Sequence, residues 1–459
     1  MTRTSIYGLG QLTTSATALS YSSSRRSGCL SPLQVTVPVG CGAVLAAAVA
    51  ARSWILVALM MAMSLVVLVP VEFALGLLSF TIYFDNLNPF HGGITLSFLT
   101  AAISGCILLL ASLAGKRFAA PSRAAGWFAL FLLWTMLSTF WAMHREVALQ
   151  RLPSIASLGA LYLIIGSMRI ADREFKSITR LIVYGGCIAS AISLYQFAHG
   201  STVVGRASII LGNVATNPNE LAISLLLPLS MAFGLVLSER GVARGMFVIA
   251  SLLLLTCLLL TMSRGGFVGL SVMIVIYIYR RGIDWRLLTA VILTVSVLLL
   301  ASSLLMTRLD DALASRAQGR LDIWLVGFEV VKHHGLFGVG LDNFPLAFDR
   351  YAGHQKVFHF FSMAPHNIYM QALAETGAVG LSLLVGALTS QMRQVAGILR
   401  DGGARAAALV VPCEAAAWGV MTHAVVANVL WHKVFWFVWI MAALTVRLAP
   451  REDRYVQRI

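Results

Sequence analysis

Helix-length apolar runs recur along almost the whole chain, separated by short turns rich in Lys and Arg. Runs of that length belong in lipid, where each backbone N–H and C=O must find its partner within the protein. Many runs are rich in Leu, Ile and Val without period-two alternation, so a β-barrel is excluded and an α-helical bundle expected. Composition agrees, with 58% hydrophobic and only 12% charged residues. The expected fold is an all-α polytopic membrane protein with about 12 to 14 transmembrane helices and one large loop.

The chain divides on this reading into five parts. Residues 1–34 are a Ser/Thr-rich, basic tail without acidic residues, expected to be disordered and cytoplasmic. Residues 35–306 form a transmembrane bundle, 307–367 a polar loop, 368–448 further transmembrane helices, and 449–459 a cytoplasmic tail. Within the first part of the bundle, Val37 to Ala51 imitates a signal peptide, but Trp54 to Val69 follows almost at once and favours two closely spaced helices. In the loop, Ile323 to Val331 has the spacing of a helix lying against the bundle, and Gly335 to Leu341 reads as a turn.

The net charge of +15 is spread over many short turns, which argues for topology and against nucleic acid. Lys116, Arg117, Arg123, Arg169, Arg173, Lys176, Arg180, Arg240, Arg244, Arg280, Arg281, Arg286, Arg393, Arg400 and Arg405 fall in alternate turns, read as cytoplasmic. Arg145 and Arg151 break this parity. The opposite parity holds 84–93, 199–220, the Ser263-Arg264-Gly265 hairpin and the whole 307–367 loop. The unusual polar sequence therefore shares the outer side. The six cysteines show no CxxC spacing, and all but Cys29 read as small residues of apolar segments.

Outer-side cations are the candidates for chemistry. Arg264, in TMSRGGFVGL, has a bland reading as an interfacial arginine snorkelling to headgroups. Its outer location and the two following glycines favour an anionic partner instead. Arg206 and Arg320 share that side, although Asp322 offers Arg320 a local ion pair. Guanidinium groups grip phosphate oxygens bidentately and stay charged, so three of them suit a diphosphate. His366, in APHNIYMQALAETG, follows Pro365, which suits a first helical position. That places His366 in a first turn whose dipole keeps the ring neutral, as a general base requires. Its bland reading is an interfacial histidine. Asn213, Asn217, Asn219 and Glu220 offer sugar contacts, or merely a turn and a helix start. His354 and His359 are spaced i, i+5, on different helix faces, and neither HExxH nor Asp-x-Asp is present. No metal and no cofactor are expected.

GNVATNPNELA, TMSRGGFVGL, GRLDIW with GLFGVGLDNF, and PHNIYMQALAETGAVGL, in this order, resemble the bacterial O-antigen ligase and polymerase superfamily over roughly residues 200–390. The resemblance implies a metal-independent, inverting glycosyltransferase of the membrane-embedded C type in the bacterial inner membrane. It would polymerise undecaprenyl-pyrophosphate-linked repeat units into exopolysaccharide or O-antigen on the periplasmic face. Matched motif by motif, His366, Arg264 and Arg320 are its catalytic residues, and Arg206, Asn213, Asn219 and Asn367 its substrate contacts. An acceptor glycan, membrane lipid, a chain-length regulator and a flippase are the implied partners. The pattern departs at His333 and His334, where many members have Asn-Pro. A ligase moving the chain to a lipid A core sugar or to protein shares these residues, and a lipid-linked sugar transporter is the alternative from another class. Transport calls for polar groups at mid-membrane, where this sequence is almost wholly apolar.

Topology is directly testable. Reporter fusions after Gln318 and after Arg400 are expected to differ, with a periplasm-dependent enzyme active only in the first; the reverse pattern would place the polar loop in the cytoplasm.

Overall fold

The computed structural model describes Leu75, Ser79 and residues 82–84, 120–211, 214–282, 317–355, 362–401 and 403–448. The apolar runs at 37–69, 94–113 and 287–306, and most of the run at 73–83, lie outside the described residues. Eleven helices are described: α1 (Arg123–Leu137), α2 (Arg145–Gly166), α3 (Asp172–Ala198), α4 (Pro218–Ser238), α5 (Gly241–Leu260), α6 (Arg264–Arg281), α7 (Ala317–His334), α8 (Phe344–Tyr351), α9 (Ile368–Asp401), α10 (Gly403–Ala424) and α11 (Lys433–Val446). Short 3-10 turns occupy Ile82–Phe84, Ser138–Phe140 and Ala352–Gln355. The only described strands, β1 (Ile210–Leu211) and β2 (Val214–Ala215), pair as a minimal antiparallel hairpin. Six of the described helical stretches are long and apolar enough to cross a membrane. The protein is an all-α polytopic membrane protein.

Local sequence sets several helix boundaries. Ser122 caps α1 by accepting the Ala125 N–H at 3.1 Å, and Asn217 caps α4 ahead of Pro218 by accepting the Asn219 N–H at 2.9 Å. α6 ends on left-handed Gly282 with Arg280 and Arg281 in its last turn, where cations suit the dipole. α4 and α11 are apolar nearly all round and form the buried centre, with Trp436 and Trp439 fully covered. The bundle is tightest where α6 crosses α10. A side chain on Gly269 would come within 2.8 Å of the Gly419 carbonyl, so the two backbones touch.

Contacts sort the helix termini into two ends. At one, Arg180 pairs with Glu239 at 2.8 Å, Arg280 grips Glu414 through two bonds of 2.9 and 2.6 Å, and Arg447 donates to the Gly166 carbonyl at 3.0 Å. The opposite end, called the site end below, gathers the α1–α2 corner, the starts of α4, α6 and α9, and the α10–α11 turn. Arg151, an exception to the charge parity, lies here and faces Asp342 at 3.6 Å, while Arg145 stands 5.9 Å from the Phe140 ring. Each exceptional cation thus has a local partner.

α7 and α8 form a small unit on the site end, with Val326, Val330, Phe344 and Phe348 at its core. The turn after α7 joins it to the bundle. Val339 and Gly340 donate to the carbonyls of Ala374 and Glu375, both at 2.9 Å, and Ala378 donates back to Gly335 at 2.8 Å. α9 is broken here by Gly377, whose φ of 71° and ψ of −174° free its carbonyl ladder for these bonds. Trp134 and Trp141 of the α1 end donate to the carbonyls of Thr376 and Phe337 at 2.8 and 3.0 Å, and Leu341 donates to Ser138 at 3.0 Å. Below them, buried Glu375 accepts from Gln371 at 3.2 Å and from Trp431 at 3.1 Å.

Gly377 and Gly338 (φ 74°) tolerate no side chain. A Cβ would meet Leu336 O at 2.1 Å in the first case and Glu375 backbone atoms at 2.4 Å in the second. Gly377→Ala and Gly338→Ala are each expected to cost at least about 2 kcal/mol. Gly126→Ala, on α1 with open space around it, serves as control and is expected to be neutral or to stabilise by about 0.5 kcal/mol. Thermal midpoints of the purified proteins in one detergent give the comparison.

Candidate active site

Three segments far apart in sequence deliver the candidate side chains to the site end. The first is the start of α6, where Ser263 accepts the Gly266 N–H at 3.2 Å and so makes Arg264 the first helical residue. Arg264 is exposed. The second is α7, whose first turn carries half-buried Arg320. The third is the Pro365–Asn367 segment ahead of α9. Trp324, one turn after Arg320 on the same helix face, donates to the Pro365 carbonyl at 3.0 Å. One helix therefore carries an arginine and clamps the backbone beside His366.

The placement of His366 corrects the sequence reading. Pro365 is not the first helical residue, because α9 begins at Ile368. The Asn367 side chain caps it, accepting the N–H groups of Tyr369 and Met370 at 2.9 and 3.1 Å. An Asn side-chain oxygen satisfies orphan donors that Pro at N1 leaves open, and this sets the boundary three residues later. His366 precedes the cap with a φ of 48°, in the left-handed region that non-glycine residues seldom occupy. Asn367, expected to contact substrate, spends its side-chain oxygen on the helix.

Burial, and then the positive charge of Arg320, hold the His366 imidazole below its ordinary pKa. Burial and then Arg264 lower that of Arg320, whose guanidinium nevertheless stays charged at neutral pH. Burial and a neighbouring cation thus favour the neutral form, a different cause from the first-turn dipole of the sequence reading. Among the described residues neither Arg264 nor Arg320 has a carboxylate at ion-pairing distance, and the local pair with Asp322 does not form. Two cations without a carboxylate partner among the described residues, near an imidazole held below its ordinary pKa, are chemically suited to an anion and to proton removal from a hydroxyl.

The remaining candidates fall elsewhere. Arg206 donates to the Thr261 carbonyl and to the Asn219 side chain, both at 2.7 Å, tying the 203–206 turn to the residues just before Arg264. Asn213 and His359 lie outside the described residues. His334 bonds Tyr351 at 2.9 Å, the rings of His333 and His354 pack around the same tyrosine, and Glu329 lies 3.9 Å from each of those two histidines. These histidines dress the α7–α8 unit. Among the described residues no group of three or more His, Cys, Asp or Glu is placed to hold a metal ion. Sequence reasoning missed Trp324, although its spacing of four from Arg320 was the available signal.

His366 should titrate below about 6.5, the ordinary imidazole value. Arg320→Gln removes the second cause of the depression, so the His366 pKa is expected to rise while staying below that of an exposed histidine. The pH dependence of His366 acylation by diethyl pyrocarbonate, followed by peptide mass spectrometry, reads this shift.

Residues 249–385, a stretch that contains Arg264, Arg320 and His366, match the family model described as O-antigen ligase. The exopolysaccharide production protein ExoQ of Rhizobium meliloti (strain 1021) is 25% identical over 279 residues, covering 56% of this chain and 62% of that relative. The match thus spans less than two thirds of the relative's length. Over residues 249–385, which contain all three candidate side chains, the chain is thus similar to the O-antigen ligase family.

Proposed function

We propose that the protein polymerises undecaprenyl-pyrophosphate-linked oligosaccharide repeat units into exopolysaccharide or O-antigen, by metal-independent inverting glycosyl transfer on the periplasmic face of the bacterial inner membrane. The observation that carries this reading is that the charge of Arg264 reaches Arg320 and that of Arg320 reaches half-buried His366, while neither arginine pairs with a carboxylate among the described residues. The basic turns at the opposite end of the bundle support placing the site end outside the cytoplasm.

His366 takes the proton from an acceptor hydroxyl of one repeat unit. The freed oxygen forms a bond to the anomeric carbon of a second unit from the face opposite its pyrophosphate. The anomeric C–O bond breaks and its electron pair leaves with the diphosphate, whose growing charge Arg264 and Arg320 stabilise. The proton on His366 then passes to water, a transfer that neighbouring Arg320 favours. Arg206 and Asn219 hold the turn ahead of Arg264, and Asn367 fixes the start of α9 behind His366; Asn213 remains a proposed sugar contact. Transfer to a lipid A core sugar or to protein would use the same leaving group. The name of the relative, an exopolysaccharide production protein, favours polymerisation.

Lysine keeps the charge of arginine but loses its planar fork. Arg264→Lys and Arg320→Lys are each expected to reduce polymer formation at least about tenfold, roughly 1.4 kcal/mol of transition-state stabilisation. Polymer yield in a deletion strain complemented with each variant, at matched protein levels, is the measurement. Full activity of Arg264→Lys would return that residue to a headgroup-facing role.

A further inference from the structure

Gly265, next to Arg264, is where α6 meets the end of α10. A Cβ built on Gly265 falls 2.6 Å from Cδ2 and 2.8 Å from Nε2 of His423, and 2.8 Å from Val426 Cγ2. The His423 ring therefore lies against the backbone of the arginine turn. His423 is 1% exposed, and its Nδ1 is buried with no hydrogen-bond partner among the described residues. Where packing alone is at stake, an apolar side chain of similar volume fills the space without that desolvation cost. The charge of Arg320 reaches His423 as it reaches His366, so this ring underlies the same centre. Its backbone is fixed as well, since Val426 donates to the His423 carbonyl at 2.9 Å to close the end of α10.

We propose that His423 is a positioning residue of this site, its ring seating the Ser263-Arg264-Gly265 turn so that the Arg264 guanidinium stands beside Arg320 and one diphosphate spans both. This rests on the pyrophosphate reading given above. Ser263 holds the turn from its own side through the cap, and His423 holds it from α10. Position 265 must then be glycine because the ring occupies the space of a Cβ. His423 contacts no substrate; it acts through Arg264.

The test is a double-substitution cycle on the full chain in nanodiscs: Gly265→Ala, His423→Ala and the two combined. Each is assayed with a polyprenyl-pyrophosphate-linked oligosaccharide for donor KM, kcat and pH profile, together with the thermal midpoint. Each single substitution is expected to raise donor KM about tenfold, the first by pushing the turn off the ring and the second by leaving it unsupported. The combined protein should lie closer to wild type than Gly265→Ala does, because the new methyl enters the vacated space. The acid limb of the profile, set by His366, should stay in place. Additive losses overturn the proposal, as does a His423→Ala protein that loses thermal midpoint with donor KM unchanged. Arg264→Ala separates this from the functional reading. If that variant leaves donor KM unaltered, the pyrophosphate assignment fails, and the seating is judged by midpoints alone: recovery in the combined protein sustains it and additivity overturns it.

Discussion

The site depends on the splice between the turn after α7 and the break in α9. Backbone bonds from Val339, Gly340 and Ala378 cross it, and the left-handed glycines Gly338 and Gly377 let the two chains approach closely enough to form them. A helix interior has no spare carbonyls, so a polar unit can be sewn to it only where the ladder is interrupted. That interruption, at Gly377, lies ten residues from Asn367. It fixes the end of α7 against α9, while Trp324 fixes its beginning against Pro365. Arg320, on the first turn of α7, is thereby held in register with His366, and an error at the splice is transmitted to both.

Electrostatics explain why so few residues suffice. Two cations side by side repel, and burial of Arg320 penalises its charge further. Both costs are relieved when an anion bridges them, and most fully when that anion gains charge, as a departing diphosphate does. Arg320 also disfavours imidazolium at His366, which leaves the ring unprotonated for its proposed role as base. On the proposed reading, one charge arrangement serves the leaving group and the base.

Much of this was legible in the sequence because it is local. The apolar runs at 221–237, 246–262, 265–279, 406–421 and 434–446 coincide with α4, α5, α6, α10 and α11, those at 179–197 and 368–388 mark only parts of α3 and α9, and the spacing over Ile323 to Val331 marked the middle of α7. What was not legible depends on distant partners. Gly377 in AETGAVG reads as a glycine tolerated within a helix, and its φ is set by Leu336 O and Phe337 N across the splice. Arg151 broke the charge parity because Asp342, almost two hundred residues later, faces it. Pro365 outweighed Asn367 in the reading of the α9 start, although the cap decides it. Arg206 read as a free cation, whereas it bonds the Thr261 carbonyl and Asn219.

The central claim is that His366 removes the proton while the arginines hold the donor. His366→Ala is the most direct test, with binding of the lipid-linked donor and polymer formation measured on the same preparation and His354→Ala as comparison. The account predicts unchanged donor affinity, a loss of rate of about a hundred to ten thousandfold in His366→Ala, and a much milder loss in His354→Ala. Near wild-type polymerisation by His366→Ala, with His354→Ala inactive, would contradict it.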